Sequence, residues 1–274
     1  MKELNALIEK HYLKEGLFED IIGRLQEQGI DLNKVSRAAI AGVDEFHVRG
    51  AAVSKELAHY IDLKGAQVLD VGCGLGGPCR MLADEFGCTA TGIDLSGEYI
   101  RTATELSKLV KLDDRTTFIQ GDGVELPFDA HMFDLVWTQH VQMNIPDKDR
   151  FYSEIKRVLK PGGHLLYYDI FSNGNGEVSY PMPWASNAEQ SFLFETSDLE
   201  QILTRLGFLQ VRTVDQTKAG IEFFEAFVAK LKAFGPPKIG LNVLMGESTK
   251  PKLMNLLAHL KEDKIVLQSG AYLA

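Results

Sequence analysis

VLDVGCGLGG, residues 68–77, is an apolar run that breaks into glycines at Gly72, Gly74 and Gly77. Three apolar residues in a run of four, bounded by a turn signal, read as a buried parallel strand. Glycines at a strand-to-helix turn let a ligand approach the backbone closely. The G-x-G-x-x-G spacing is the fingerprint of dinucleotide sites. Asp70, however, stands two residues before the first glycine. A pyrophosphate needs bare amides at a helix N-terminus and no carboxylate nearby. Two like charges about 4 Å apart repel by about 4 kcal/mol at an effective dielectric of 20, and opposite charges attract by as much. The loop therefore favours a cationic ligand. S-adenosyl-L-methionine carries a sulfonium and an amino group and no phosphate, so D-x-G-x-G favours it over a nicotinamide dinucleotide.

Strand and helix patterns alternate after this loop. CRMLADEFG, GEYIRTATELSKLV and DRFYSEIKRVL have helical spacing. TATGID, RTTFIQGD, MFDLVWTQ and GHLLYYDIF read as strands between them. This alternation predicts an α/β fold, a doubly wound parallel sheet with ligands at the C-terminal strand ends. Residues 1–64 read as an N-terminal helical cap, 65–171 as the α/β core, and 172–274 as a lid plus the end of the sheet. In the first segment, LNALIEKHYLKEGLFEDIIGRLQEQG reads as helical up to Gly29. SNGNGEVSYPMPWAS is turn-rich and predicts a loop over the ligand edge. SDLEQILTRLG predicts a helix capped by Thr196 or Ser197. IEFFEAFVAKLKAF predicts another, closed by Gly235-Pro236-Pro237.

The chain has 274 residues, 45% hydrophobic and 24% charged, which suffices for an ordinary core without staples. Its net charge of -9 argues against a nucleic-acid partner. Cys73, Cys79 and Cys88 lack C-x-x-C spacing and read as free, buried thiols in a reducing compartment. No metal-ligand spacing is present. The N-terminus MKELNALIEKHYLKEG has no apolar signal region, and no stretch reaches membrane-spanning length. A cytoplasmic location is expected.

VLDVGCGLGG, GIDLS, QGDGVELPF, FDLVWTQHVQMN and LKPGGHLLYYD, in that order, resemble the class I S-adenosylmethionine-dependent methyltransferases over residues 66–170. FHVRGAAVSKELA and YPMPWAS resemble a small-molecule branch of that family. It includes sarcosine and dimethylglycine N-methyltransferases and quinone and sterol C-methyltransferases. The resemblance implies a Rossmann-like seven-stranded sheet with its last pair antiparallel. It also implies a methyltransferase that uses S-adenosyl-L-methionine and releases S-adenosyl-L-homocysteine. The expected acceptor is a small molecule, an amine of the sarcosine or dimethylglycine kind. The alternative is a carbon or oxygen of a quinone, tocopherol or sterol-like metabolite. A nicotinamide dehydrogenase and a cofactor-binding protein without activity are the rivals from other classes.

In that frame Gly72 and Gly74 pass under the methionine part of the cofactor and Asp70 holds its amino group. Asp94, about 20 residues after the first glycine, accepts the ribose hydroxyls. Leu95 packs on the adenine, and Asp122 meets the adenine amino group with Gly123 alongside. Arg49 pairs with the cofactor carboxylate as a bidentate fork. Gln139 and His140 end the fourth strand, where the methyl group points. Methyl transfer is an in-line displacement in which positioning supplies roughly 7–11 kcal/mol. A base is needed only if the acceptor arrives protonated, and His140 has the ordinary pKa for that role. Met143 and Asn144 follow on the same loop. Tyr12, Phe171, Tyr180 and Trp184 are candidates for an aromatic chamber around an ammonium, and Glu222 for a helix that closes over it.

Overall fold

The computed structural model describes residues 2–12, 14–235 and 237–274. Its centre is a seven-stranded sheet in the order β3-β2-β1-β4-β5-β7-β6. The strands are β1 (Gln67–Val71), β2 (Thr89–Asp94), β3 (Thr116–Gln120), β4 (Phe133–Gln139), β5 (Leu159–Ser172), β6 (Leu209–Asp215) and β7 (Ile265–Leu273). β1 to β5 pair in parallel, and β7 runs antiparallel between β5 and β6. The apolar run of the fingerprint is central: Val68, Leu69 and Val71 are buried, as a strand covered on both faces requires. Asp70 is paired with Gly92 of β2 on one side and Trp137 of β4 on the other. Chain order reverses between β1 and β4, which opens a crevice at their C-terminal ends.

Helices α4 (Ala51–Ala58) and α5 (Gly77–Phe86) cover one face. α9 (Thr217–Phe234) and α11 (Thr249–Lys261) complete that face. α7 (Lys148–Val158) and α8 (Thr196–Arg205) cover the other. A third cluster joins α2 (Leu17–Glu27), α3 (Arg37–Asp44) and α10 (Leu241–Met245) to α6 (Gly97–Leu109) through Leu17, Ile21, Ile40, Val243 and Leu106. No described helix is long and apolar enough to cross a membrane.

The N-terminal helical run is broken where its periodicity alone does not show it. α1 (Lys2–Tyr12) ends before Gly16, whose φ of 69° caps the start of α2. α3 and α4 are separated by a loop in which Arg49 (φ 70°) and Gly50 (φ 52°) are left-handed. Neither Thr196 nor Ser197 caps α8. Glu195 is the cap, exchanging hydrogen bonds with Asp198 in a capping box. α9 ends at Phe234 with Gly235 as expected, and Pro236 lies outside the described residues.

α1 lies across the mouth of the crevice. Asn5 Nδ2 donates to Asp122 Oδ2 at 2.6 Å, and Tyr12 OH donates to Asn144 Oδ1 at 2.9 Å. The loop after β5 braces α1 from outside. His11 meets Pro183 O and Ser186 Oγ, and Gln190 Nε2 donates to Leu7 O. The covering element is thus α1, with the lid expected after β5 as its support.

Arg80 on α5 is fully buried beneath the glycine loop. It donates to Asp44 Oδ1 at 2.7 Å, to Leu75 O at 2.5 Å and to Ser107 Oγ at 3.1 Å. Burial raises the Asp44 carboxyl, and Arg80 opposes the rise. Removing one member of a buried ion pair leaves an uncompensated charge and costs about 3–5 kcal/mol. Arg80→Met is expected to lower unfolding stability by that amount in urea titration. The α1 strap gives a second expectation, read by hydrogen exchange. Asn5→Ala with Tyr12→Phe should speed exchange across residues 2–12 and leave β1 and β2 protected.

Candidate active site

The glycine loop decides what the crevice can hold. The amides of Gly72 and Cys73 donate to Ile93 O at 2.8 and 3.1 Å. The Gly74 amide donates to Asp94 Oδ2 at 2.9 Å, and the Gly76 amide to Cys73 O at 2.8 Å. These donors are committed inside the protein, so they offer no cradle for a pyrophosphate. Gly72 (φ 76°) adopts a conformation that disfavours side chains, and a Cβ there would lie 2.2 Å from Val141 Cγ2. Gly74 (φ 52°) faces open space. Gly77 has a different purpose: a Cβ would sit 2.0 Å from Asp44 O, so the third glycine admits α3 and not a ligand.

Nine of the predicted residues line the crevice together: Asp70, Gly72, Gly74, Asp94, Leu95, Asp122, Gly123, Gln139 and His140. Tyr12 and Asn144 join them. Asp70 is buried at the end of β1, where burial pushes its carboxyl up to about 7 against a hydrogen bond from Cys79 Sγ. Asp94 is raised by burial, and the amides of Ser96 and Gly74 pull it back. Asp122 accepts from the Val124 amide through one oxygen and from Asn5 through the other. Gln139 Oε1 accepts from Trp137 Nε1 at 2.8 Å. His140 (φ 53°) is held well below the ordinary histidine range by burial first and by His47 second. Its Nε2 is buried without a hydrogen-bond partner among the described residues.

Six predicted residues lie elsewhere. Arg49 turns away from the crevice and donates to Glu56 Oε2 at 3.0 Å and Gln216 Oε1 at 2.6 Å, because its left-handed backbone redirects the side chain. Met143 is packed in the core of one sheet face. Phe171 belongs to the opposite face, against Phe194 at 5.6 Å. Tyr180 packs on the first core from outside. Trp184 is buried there, with its Nε1 spent on Ser191 Oγ at 2.9 Å. Glu222 is exposed on α9. A proline-flanked loop rich in aromatics reads like a ligand chamber, but here it fills core volume. Asn144 reaches the crevice with its amide already committed to Trp184 O and Gln190 O.

The aromatic lining comes instead from Tyr12, Phe46 and Tyr99, with Tyr12 edge-on to Phe46 at 6.2 Å and to Tyr99 at 6.0 Å. Asn5, Ile8, Glu9 and His47 also line the crevice and were not singled out by sequence. The available signal was the E-x-H spacing in DEFHVRG and the amphipathic first helix. The described lining includes the carboxylates of Glu9, Asp44, Asp70, Asp94 and Asp122 and no Lys or Arg. Such a wall attracts cations and admits neutral groups, and it offers no guanidinium fork to a phosphate or carboxylate.

Residues 69–167 match the sequence family described as a methyltransferase domain. The chloroplastic tocopherol O-methyltransferase of Arabidopsis thaliana is 34% identical over 178 residues, 63% of this chain and 51% of that protein. The 2-methyl-6-phytyl-1,4-hydroquinone methyltransferase of Synechocystis is 42% identical over 105 residues, 38% of this chain and 32% of that one. The chain thus spans about half or less of the length of these curated relatives. Among solved structures, phosphoethanolamine N-methyltransferase 2 of Haemonchus contortus in complex with S-adenosyl-L-methionine shares the fold. Its TM-score is 0.71 at 22% identity, over 87% of this chain and 57% of that one. Residues 69–167 thus carry a methyltransferase domain of the class I, S-adenosylmethionine-dependent kind, related to several small-molecule N-, C- and O-methyltransferase families.

Proposed function

We propose that the crevice binds S-adenosyl-L-methionine and that the chain transfers its methyl group to a neutral small organic acceptor, at carbon or at a hydroxyl oxygen. The observation that carries this reading is the acidic lining without a described basic side chain. It suits a sulfonium donor, and it gives no partner to a phosphorylated or carboxylated acceptor. Sarcosine and dimethylglycine both carry a carboxylate, so the preference moves from them to the quinol, tocopherol or sterol-like alternative. The tocopherol and hydroquinone relatives lie on the same side.

Within this reading Asp70 faces the cationic end of the donor and Asp94 accepts its ribose hydroxyls. Leu95, Asp122 and Gly123 border its adenine, and Gln139 and His140 border the methyl group. With Arg49 turned away, the donor carboxylate has no arginine partner there. Tyr12, Phe46 and Tyr99 offer a wall for a flat ring. The same three rings support a second reading, an uncharged-tailed amine held by cation–π contact.

Transfer of label from S-adenosyl-L-methionine across a panel of hydroquinones, phenols, sterols and amines tests the choice. Label in a hydroxylated ring or isoprenoid acceptor is the expected result, and label confined to amines would reverse it. Hydrogen bonds to a charged group contribute about 1.5–3 kcal/mol, or about tenfold and upward in affinity. Asp94→Ala should therefore weaken S-adenosyl-L-homocysteine binding at least about tenfold by calorimetry; unchanged affinity would remove the ribose assignment.

A further inference from the structure

A buried polar group beside the crevice is not used by the reading above. His47 Nε2 lies 3.1 Å from Glu45 Oε2, 3.0 Å from Ser54 Oγ and 3.2 Å from Gly50 O. Ser54 Oγ donates to Glu45 Oε2 at 2.8 Å and reaches Gln139 Oε1 at 3.1 Å. Glu45, His47, Ser54 and Gln139 are all buried. Nε2 faces three acceptors, the Gly50 carbonyl, the Glu45 carboxylate and Ser54 Oγ, against one donor, the Gln139 amide at 3.3 Å, so Nε2 is the nitrogen that carries the ring proton. Nδ1 is then a bare lone pair with no partner among the described residues, on a ring that lines the crevice. A histidine with a carboxylate behind one nitrogen and a free lone pair on the other is the arrangement of a general base.

We propose that His47, positioned by Glu45, takes the proton from the acceptor's hydroxyl during methyl transfer. This rests on the methyltransferase reading above. The O–H bond breaks and its proton goes to Nδ1. For an oxygen acceptor, the freed electron pair forms the new bond to the methyl carbon. The S–CH3 bond breaks with its pair on sulfur, and the sulfonium becomes a neutral thioether. For a ring carbon, the same deprotonation drives attack from carbon, and the ring proton then returns to the oxygen. In both cases His47 releases its proton to solvent afterwards.

His140 is less suited to this step. No carboxylate stands behind it, its Nε2 is buried without a partner, and it lies against the Tyr168 ring at 4.9 Å. The groups facing His47 are Glu45, His140 at 5.9 Å and Tyr168 at 6.1 Å between ring centroids. Asp44, Asp70 and Arg37 act on Glu45 from behind. Burial pushes Glu45 up to about 8 and His47 down to about 4. As pH falls through about 8, Glu45 takes up a proton and His47, itself neutral down to about 4, loses the carboxylate behind it, so turnover should fall on that limb.

The test uses the full chain, labelled S-adenosyl-L-methionine and a hydroquinone acceptor, with kcat and KM measured from pH 5 to 9. General-base removal lowers rate about 10²–10⁴-fold. His47→Asn should lower kcat at least about 100-fold and abolish the acid limb, with S-adenosyl-L-homocysteine affinity within about threefold of wild type. Glu45→Gln should lower kcat and remove the limb from the measured range, because the carboxyl whose ionisation produces it is gone. His140→Asn should retain the limb. An unchanged limb in His47→Asn overturns the assignment. Should that variant fail to fold, a flat wild-type profile, or an unmoved limb in Glu45→Gln, overturns it equally. A wild-type chain that binds S-adenosyl-L-homocysteine but labels no hydroxylated acceptor instead overturns the acceptor reading, and the His47 role falls with it.

Discussion

The Arg80–Asp44 pair is the contact on which the rest of the crevice depends. It joins α5, which follows the glycine loop, to the end of α3, and the same guanidinium holds the Leu75 carbonyl and reaches α6. Gly77 makes the approach possible, because any side chain there would collide with the Asp44 carbonyl. From Asp44 the chain runs directly into Glu45, Phe46 and His47. Fixing Asp44 therefore fixes both the aromatic wall and the buried polar group. A buried ion pair is weak evidence of net stability, but it is demanding about geometry. Here it sets where the N-terminal third of the chain meets the sheet.

Electrostatics and steric fit then divide the work. The sheet alone would accept several adenosine-containing ligands, because a carboxylate at the end of β2 serves any ribose. Discrimination comes from the loop amides, which are satisfied internally, and from Asp70, which is buried where a phosphate would otherwise approach. α1 adds its own polar and aromatic groups from the far side of the crevice.

The sheet and the strand-end residues that line the crevice were legible because strand-to-helix turns occur at local, period-two and period-3.6 signals. Asp94 ends β2, Asp70 is next to last in β1 and Asp122 lies two residues past β3, and in an open α/β sheet those ends converge. The rest of the lining was not legible in the same way. Tyr12, at the end of α1, was named from the sequence, but Phe46 and His47 share the loop after α3, and their meeting with Tyr12 depends on tertiary packing. Arg49 illustrates the failure: a charged residue in the right stretch was given a ligand, but its left-handed backbone sends it to Glu56 and Gln216. Trp184 illustrates the converse, since an aromatic among prolines looked like chamber lining and proved to be core. Backbone handedness and burial are properties of the fold, and no spacing rule reports them.

Val141 rests directly against Gly72, where even a methyl group has no room. The turn that leaves β1 and the turn that leaves β4 are therefore geared to one another. Any side chain at position 72 would have to displace Val141, whose neighbour His140 lines the crevice. The width of the crevice floor is thus set by the absence of a single carbon atom.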